Sequence, residues 1–290
     1  MKNSEKEEKK YDLAVAYRIY PKVSRNPVIF TDDKYQLVNF CLSSFIKSLG
    51  DLKVKVWVIL DGCPPKYEVL VKKYFNEKDL IILNTDSIGN QATFGLQIDI
   101  LSKQDNSENV YFAEDDYYYF PNQFKKMISF LNRFEDVHFV TPYDHLDYYI
   151  YELHNHKQET RCFTNHHWRT VNSTCLTFLT KRKTLQKTKK ILKSFTKKSR
   201  DSSIWFAMTK QRVFNLFKIL KFFKDYPVYF SMIRNAWTSC WKYILFSKKR
   251  KLWAPIPTIG THLDKNRLSP AINWRVIFEQ ELKTNSLKSL

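Results

Sequence analysis

Between Leu13 and Val140 the chain alternates short apolar runs with amphipathic stretches about four times, and that rhythm leaves few folds open. Leu13-Ala14-Val15-Ala16-Tyr17-Arg18-Ile19-Tyr20 stops at Pro21, as a buried first strand would. From Tyr35 to Leu49 the residues Leu37, Phe40, Cys41, Ser44, Phe45 and Leu49 fall near one helical face, and Gly50 supplies a stop. Val54 to Leu60 reads as a second strand, closed by Asp61-Gly62-Cys63-Pro64-Pro65. A helix from Tyr67 to Phe75 and a strand from Leu80 to Leu83 follow, then a helical segment from Ala92 to Leu101 opened by Gly89-Asn90. The strand Asn109 to Ala113, a helix from Asn122 to Phe134 and a strand from Val137 to Val140 complete the series. Strands that alternate with helices in this way form a mostly parallel sheet covered on both faces, so the expected fold class is α/β.

In such sheets ligands collect at the carboxyl ends of the strands. Three groups of polar residues fall there: Tyr17-Arg18, Asp61 and Glu114-Asp115-Asp116. Adjacent carboxylates repel one another. Either they form a solvated acidic turn, or a hard cation such as Mg²⁺ or Mn²⁺ compensates them while sharing its shell with phosphate oxygens and water. The chain has only five glycines and neither G-x-G-x-x-G nor G-x-x-x-x-G-K-[ST], which argues against a dinucleotide-binding turn or a P-loop. A nucleotide diphosphate on this sheet would need a metal on the acidic triplet instead.

Composition narrows the setting. Met1 to Lys10 is charged, lacks an apolar core and is expected to be a loose tail rather than a signal peptide. No apolar run approaches the ~18 to 20 residues that span a bilayer. The five cysteines, Cys41, Cys63, Cys162, Cys175 and Cys240, are widely spaced with no C-x-x-C pair, which fits a reducing cytosol. A net charge of +19 calls for an anionic partner. The bases cluster from Lys181 to Arg200 with no acid among them. From Lys210 to Lys251 they interleave with Phe214, Phe217, Phe222, Phe223, Tyr226, Tyr229, Phe230, Trp237, Trp241, Tyr243 and Phe246. This is the composition of an interfacial segment, so a peripheral protein at the inner face of an anionic membrane is one expectation and a solvated basic helix over ordinary core aromatics is the other.

In order and chemistry, Asp61, Gly89-Asn90-Gln91 and Glu114-Asp115-Asp116 resemble the GT-A class of nucleotide-diphospho-sugar glycosyltransferases, in particular its inverting family-2-like members. The acidic triplet is similar to the E-D-D motif of N-acetylglucosaminyltransferase I. The resemblance runs from Leu13 to about Trp205. It implies a Rossmann-like GT-A domain over 11–208, followed by a basic, aromatic-rich helical region over 209–290 that completes the site. It also implies that Asp61 contacts the nucleotide base, Asp115 the ribose or sugar and Asp116 a Mn²⁺ or Mg²⁺ ion, with Glu114 near the donor sugar and Tyr17, Arg18 and Asn90 lining the nucleotide-sugar. The general base of inverting enzymes matches Asp201 in Arg200-Asp201-Ser202-Ser203, a segment that equally reads as a helix N-terminus capped by Asp201 or Ser202. His262, at the close of the strand-like run Pro255 to Asp264, matches the C-terminal histidine that completes the metal shell in several such enzymes. Leu268-Ser269-Pro270 and Asn273-Trp274 match a lid over the donor.

The implied activity is transfer of a hexosyl or N-acetylhexosaminyl group from a nucleotide-diphosphate sugar, a UDP-sugar first, to a glycan or lipid-linked acceptor, with no nucleic acid involved. From Thr141 to Arg169 the aromatic and polar residues Tyr143, His145, Tyr148, Tyr149, Tyr151, His154, His156, His166, His167 and Trp168 could form an acceptor wall. The same histidines, with Asp144 and Asp147, are also the raw material of a metal-dependent nuclease, although no compact H-N-H hairpin surrounds them. A nucleic-acid-binding protein and a non-catalytic GT-A-like domain are the remaining alternatives.

Overall fold

Every residue of β1 (Leu13–Ile19) is buried, as a strand covered on both faces requires. The computed structural model describes residues 11–23, 26–197, 199–214 and 227–287. The tail Met1 to Lys10 and the aromatics Phe217, Phe222, Phe223 and Tyr226 lie outside the described residues.

After β1 come α1 (Lys34–Leu49), β2 (Val54–Asp61), α2 (Lys66–Tyr74), β3 (Leu80–Thr85), α3 (Gly89–Lys103), β4 (Asn109–Glu114), β5 (Tyr117–Tyr119) and α4 (Phe124–Arg133). The second half adds β6 (Phe139–Val140), α5 (Asp147–Ile150), β7 (Thr160–Phe163), β8 (His166–Val171), β9 (Phe178–Lys181), α6 (Arg182–Leu192) and α7 (Asp201–Thr209). It closes with α8 (Pro227–Phe246), β10 (Leu252–Ile256), β11 (Gly260–His262) and α9 (Trp274–Leu287).

Nine strands form one sheet in the order β3-β2-β1-β4-β9-β6-β10-β8-β7. All run the same way except β8 and β9, so the sheet is mostly parallel. The fold is the α/β arrangement expected from the element order, a mostly parallel sheet flanked by helices. Strand periodicity sorts the side chains by face. On β1, Ala14 and Ala16 join a core with α3, α6, α7 and α8, whereas Leu13, Val15, Tyr17 and Ile19 join one with α1, α2 and α4. Burial of each large apolar side chain contributes about 1.5–3 kcal/mol against the entropy of ordering it.

The structure departs from the sequence reading in two places. The fifth parallel strand, β6, is only two residues long, and β9 intervenes antiparallel between β4 and β6. The run from Pro255 to Asp264 is split. β10 lies between β6 and β8 in the main sheet, whereas β11 pairs with β5 in a separate two-stranded sheet. Pro257, with no N–H to donate, sits in the break. Gly260 is required where β11 crosses β5, because a Cβ there would lie 2.6 Å from the Tyr118 carbonyl oxygen.

Candidate active site

The parallel register of β1 and β4 sets Arg18 directly opposite Glu114. Both point toward the α3 side of the sheet, where the guanidinium Nη2 donates to Glu114 Oε1 at 2.5 Å. Arg18 Nη1 donates to the Asn90 carbonyl at 2.9 Å and to the Asn90 side-chain oxygen. Thr177 Oγ1 fixes the other Glu114 oxygen at 2.8 Å. At the end of β2, Asp61 accepts from Thr85 Oγ1 at 2.8 Å and from the backbone N–H groups of Ile88 at 2.7 Å and Gly89 at 2.9 Å, so it ties the sheet to the start of α3.

The turn after β4 carries Asp115 and Asp116. Asp115 accepts from Lys34 Nζ and from the Tyr20 N–H, both at 2.8 Å. Burial and the neighbouring Asp116 push its carboxyl up, against the pull of Lys34. Burial also works against ionised Asp116, but His262, Lys34 and Arg18 outweigh it and hold this carboxyl below the usual range. His262 Nε2 lies 3.1 Å from Asp116 Oδ2, while the Asp264 N–H donates to His262 Nδ1 at 3.1 Å. A neutral His262 therefore carries its proton on Nε2 and donates it to Asp116.

These groups surround one cavity of about 520 Å³, lined in addition by Ser87, Thr93, Cys175, Leu176, Phe195 and Asp201, a size suited to a small-molecule ligand. Of the candidate residues, Arg18, Asp61, Asn90, Glu114, Asp115, Asp116, Asp201 and His262 converge on it, from both halves of the chain. Tyr17 does not. A side-chain period of two sends it to the opposite face from Arg18, where its ring packs on Phe45 at 5.4 Å, fully buried. Asp201 is the first residue of α7, and its Oδ1 accepts the Ser202 N–H at 2.7 Å. It thus takes one of the helix's unpaired N–H groups while it lines the cavity.

Other expectations are redirected. Tyr143, Tyr148 and Trp168 belong to the core, with Trp168 stacked on Phe130 at 4.3 Å, so they form no open acceptor wall. Tyr149, Tyr151 and His167 are the exposed members among the aromatic and histidine side chains of that stretch. His154 is buried and bonded to Asn172 at 2.5 Å, His156 to a backbone carbonyl, and His167 lies near Cys162, so the histidines do not converge as a nuclease site requires. Trp274 donates to the Ser269 carbonyl at 2.7 Å and packs with Leu37, Phe40 and Tyr118, which places this segment in a third core cluster rather than over the cavity.

Lys34, Cys175, Leu176 and Phe195 line the cavity without having been singled out in the sequence. Lys34 did leave a trace. It is the first residue of α1, just after the N-cap Asp33, where the helix dipole disfavours a cation unless an acid answers it.

The donor set suits a divalent ion. Asp116 Oδ1 is buried with no hydrogen-bond partner, as a carboxylate oxygen reserved for a cation would be. Ligation by His262 would require Nε2 to lose its proton and Nδ1 to release the Asp264 N–H, an exchange Asp116 does not need. Among the described residues no group of three or more His, Cys, Asp or Glu could hold an ion alone, so substrate and water would complete the shell.

No protein-family model matches the chain, and no curated protein sequence matches it. Among solved structures it is similar to S. aureus TarS 1-349 in complex with UDP-GlcNAc, at 18% identity over 45% of this chain and 33% of that one, with a TM-score of 0.34. It is similar to the mannosyltransferase PcManGT from Pyrobaculum calidifontis in complex with GDP-Man and Mn²⁺, at 12% identity over 46% and 35%, with a TM-score of 0.33. A third likeness is to 4-diphosphocytidyl-2C-methyl-D-erythritolsynthase from Anaerococcus prevotii DSM 20548, at 11% identity over 69% and 83%, with a TM-score of 0.39. The chain thus spans about a third of the first two proteins, and at these identities the likenesses concern the backbone alone.

Proposed function

We propose that the chain is a metal-dependent glycosyltransferase that moves a sugar from a nucleotide diphosphate, UDP in the first instance, to a hydroxyl of a glycan or lipid-linked acceptor, with inversion. The observation that carries this reading is the charge of the cavity. Five carboxylates, Asp61, Glu114, Asp115, Asp116 and Asp201, face one guanidinium, Arg18, and one ammonium, Lys34. A diphosphate entering such a pocket is repelled unless a cation comes with it. The unpartnered Asp116 Oδ1 is the atom that would receive that cation, joined by His262 after the proton exchange described above.

When bound, a Mn²⁺ or Mg²⁺ ion would neutralise charge developing on the leaving diphosphate. The chain's own residues would do the rest. Arg18, held in place by Glu114 and Asn90, presents positive charge at the floor of the pocket. Glu114 and Asp115, each fixed by a basic side chain, would accept further hydrogen bonds from sugar or ribose hydroxyls. Leu176 and Phe195 give the cavity an apolar side that excludes water from the reacting bond. Asp201 accepts the proton of the acceptor hydroxyl as that oxygen attacks the anomeric carbon.

The test is calorimetric titration of UDP, GDP, CDP and dTDP into the chain with and without Mn²⁺, repeated on Asp116→Ala. Metal-dependent binding of one nucleotide, abolished by the substitution, is the expected result. A folded chain that binds none of the four under either condition overturns the proposal.

A further inference from the structure

From Pro227 to Leu263 the sequence contains no Asp or Glu, while Arg234, Lys242, Lys248, Lys249, Arg250 and Lys251 supply positive charge. Helix α8 lies within this stretch and is two-sided. Ile233, Ala236, Cys240 and Ile244 are buried against the core, and Cys240 Sγ lies 3.2 Å from Ser194 Oγ just beyond the end of α6. The opposite face is open. Arg234, Thr238, Trp241 and Leu245 recur at i, i+4, i+7 and i+11, flanked by Lys242 and Phe246. Trp241 is 45% exposed, Leu245 47% and Phe246 80%. Among the described residues, Lys242, Lys248 and Lys249 are exposed and form no ion pair with a carboxylate.

Three large apolar side chains stand exposed beside Lys242, whose Nζ lies 5.5 Å from the Trp241 ring centroid, with Lys248 and Lys249 just past the helix end. A charged apolar interface would bury that apolar surface favourably. We infer that the C-terminal half of α8, with Lys248 and Lys249, docks on the surface of an anionic phospholipid bilayer. Trp241, Leu245 and Phe246 would enter the headgroup boundary while the lysines meet lipid phosphates. The chemistry favours lipid over nucleic acid, because Leu245, within the exposed stripe, offers no ring for a base to stack on. The helix lies in the plane of the membrane rather than across it, since no helix among the described residues is long and apolar enough to span one. This inference is independent of the chemistry assigned to the cavity.

The test is co-flotation of the full chain with vesicles of phosphatidylcholine alone or mixed with phosphatidylglycerol. Binding should require phosphatidylglycerol and weaken with salt. Lys242→Ala/Lys248→Ala/Lys249→Ala should lower partitioning about a hundredfold. Trp241→Ser/Leu245→Ser/Phe246→Ser should lower it tenfold or more. A control, Lys183→Ala/Lys187→Ala/Lys190→Ala on α6, removes equal charge elsewhere and should have a smaller effect. Brominated phosphatidylcholine in the anionic vesicles should quench wild-type fluorescence more than that of Trp241→Phe, a readout that leaves charge and folding unchanged. Absence of binding to anionic vesicles overturns the inference. So does binding that survives the apolar triple substitution, or a face that proves to be buried in a dimer or on an oligonucleotide instead.

Discussion

Lys34 Nζ and Asp115 Oδ1 stand 2.8 Å apart with both side chains buried, joining the first turn of α1 to the acidic turn after β4. Burial opposes the ammonium charge, yet Asp115 and Asp116 together hold the Lys34 pKa above its ordinary value. Removing one partner leaves the other as an uncompensated buried charge. Lys34→Met should therefore destabilise the fold by about 3–5 kcal/mol, and adding Asp115→Leu should recover much of that loss. Urea unfolding of the two variants measures both effects, and a neutral Lys34→Met would show that the pair carries no weight.

Asp61 accepts three hydrogen bonds from within the chain, two of them from N–H groups at the start of α3. Asp61→Ala removes the acceptor of those N–H groups at a partly exposed rim, where water can replace it in part, so the loss of stability should be about 1 kcal/mol. In calorimetry the same variant should bind the cognate nucleotide more weakly, because the Ser87 to Asn90 rim of the cavity is no longer fixed.

Burial lowers the pKa of His154 to about 4, despite its bond to Asn172. The unfolded chain binds a proton at this position near pH 6.5, whereas the folded one does so only near pH 4. His154 therefore contributes stability fully above pH 6.5 that is lost as pH falls from there through 4, on the order of 3 kcal/mol in all. Unfolding free energies measured across that window should fall less steeply with acidification in His154→Gln than in the wild type.

If Asp201 is the base, Asp201→Asn should leave metal-dependent nucleotide binding unchanged and lower kcat by about 10²–10⁴-fold. Equal losses in binding and turnover would instead mark Asp201 as a helix-terminal residue only.

The parallel half of the sheet was legible because buried strands and amphipathic helices have different periods, and Leu13 to Ala113 shows both. The same periodicity, applied one residue at a time, separates Arg18 from Tyr17, which share a strand end but not a face. What the sequence could not reveal is pairing across long separations. β9 reads like any short apolar run, and its place between β4 and β6 depends on contacts far away in the chain. Lys34, a cation in the first turn of α1, calls for an acid, but nothing local identifies Asp115 as that acid. Trp168 and Tyr143 look like sugar-stacking aromatics because composition does not distinguish a ring facing a ligand from one facing a core.

The two-stranded sheet of β5 and β11 has a consequence for how the protein is made. Asp116 and His262 sit at one end of this sheet, and the Leu263 N–H donates to the Asp116 carbonyl at 2.8 Å. During synthesis the strands β1 to β4 can emerge and pair while the acidic turn still lacks its histidine. Only when β11 has left the ribosome can the turn take its final form, so β1 to β4, four of the nine strands of the main sheet, can pair well before the Asp116–His262 contact closes.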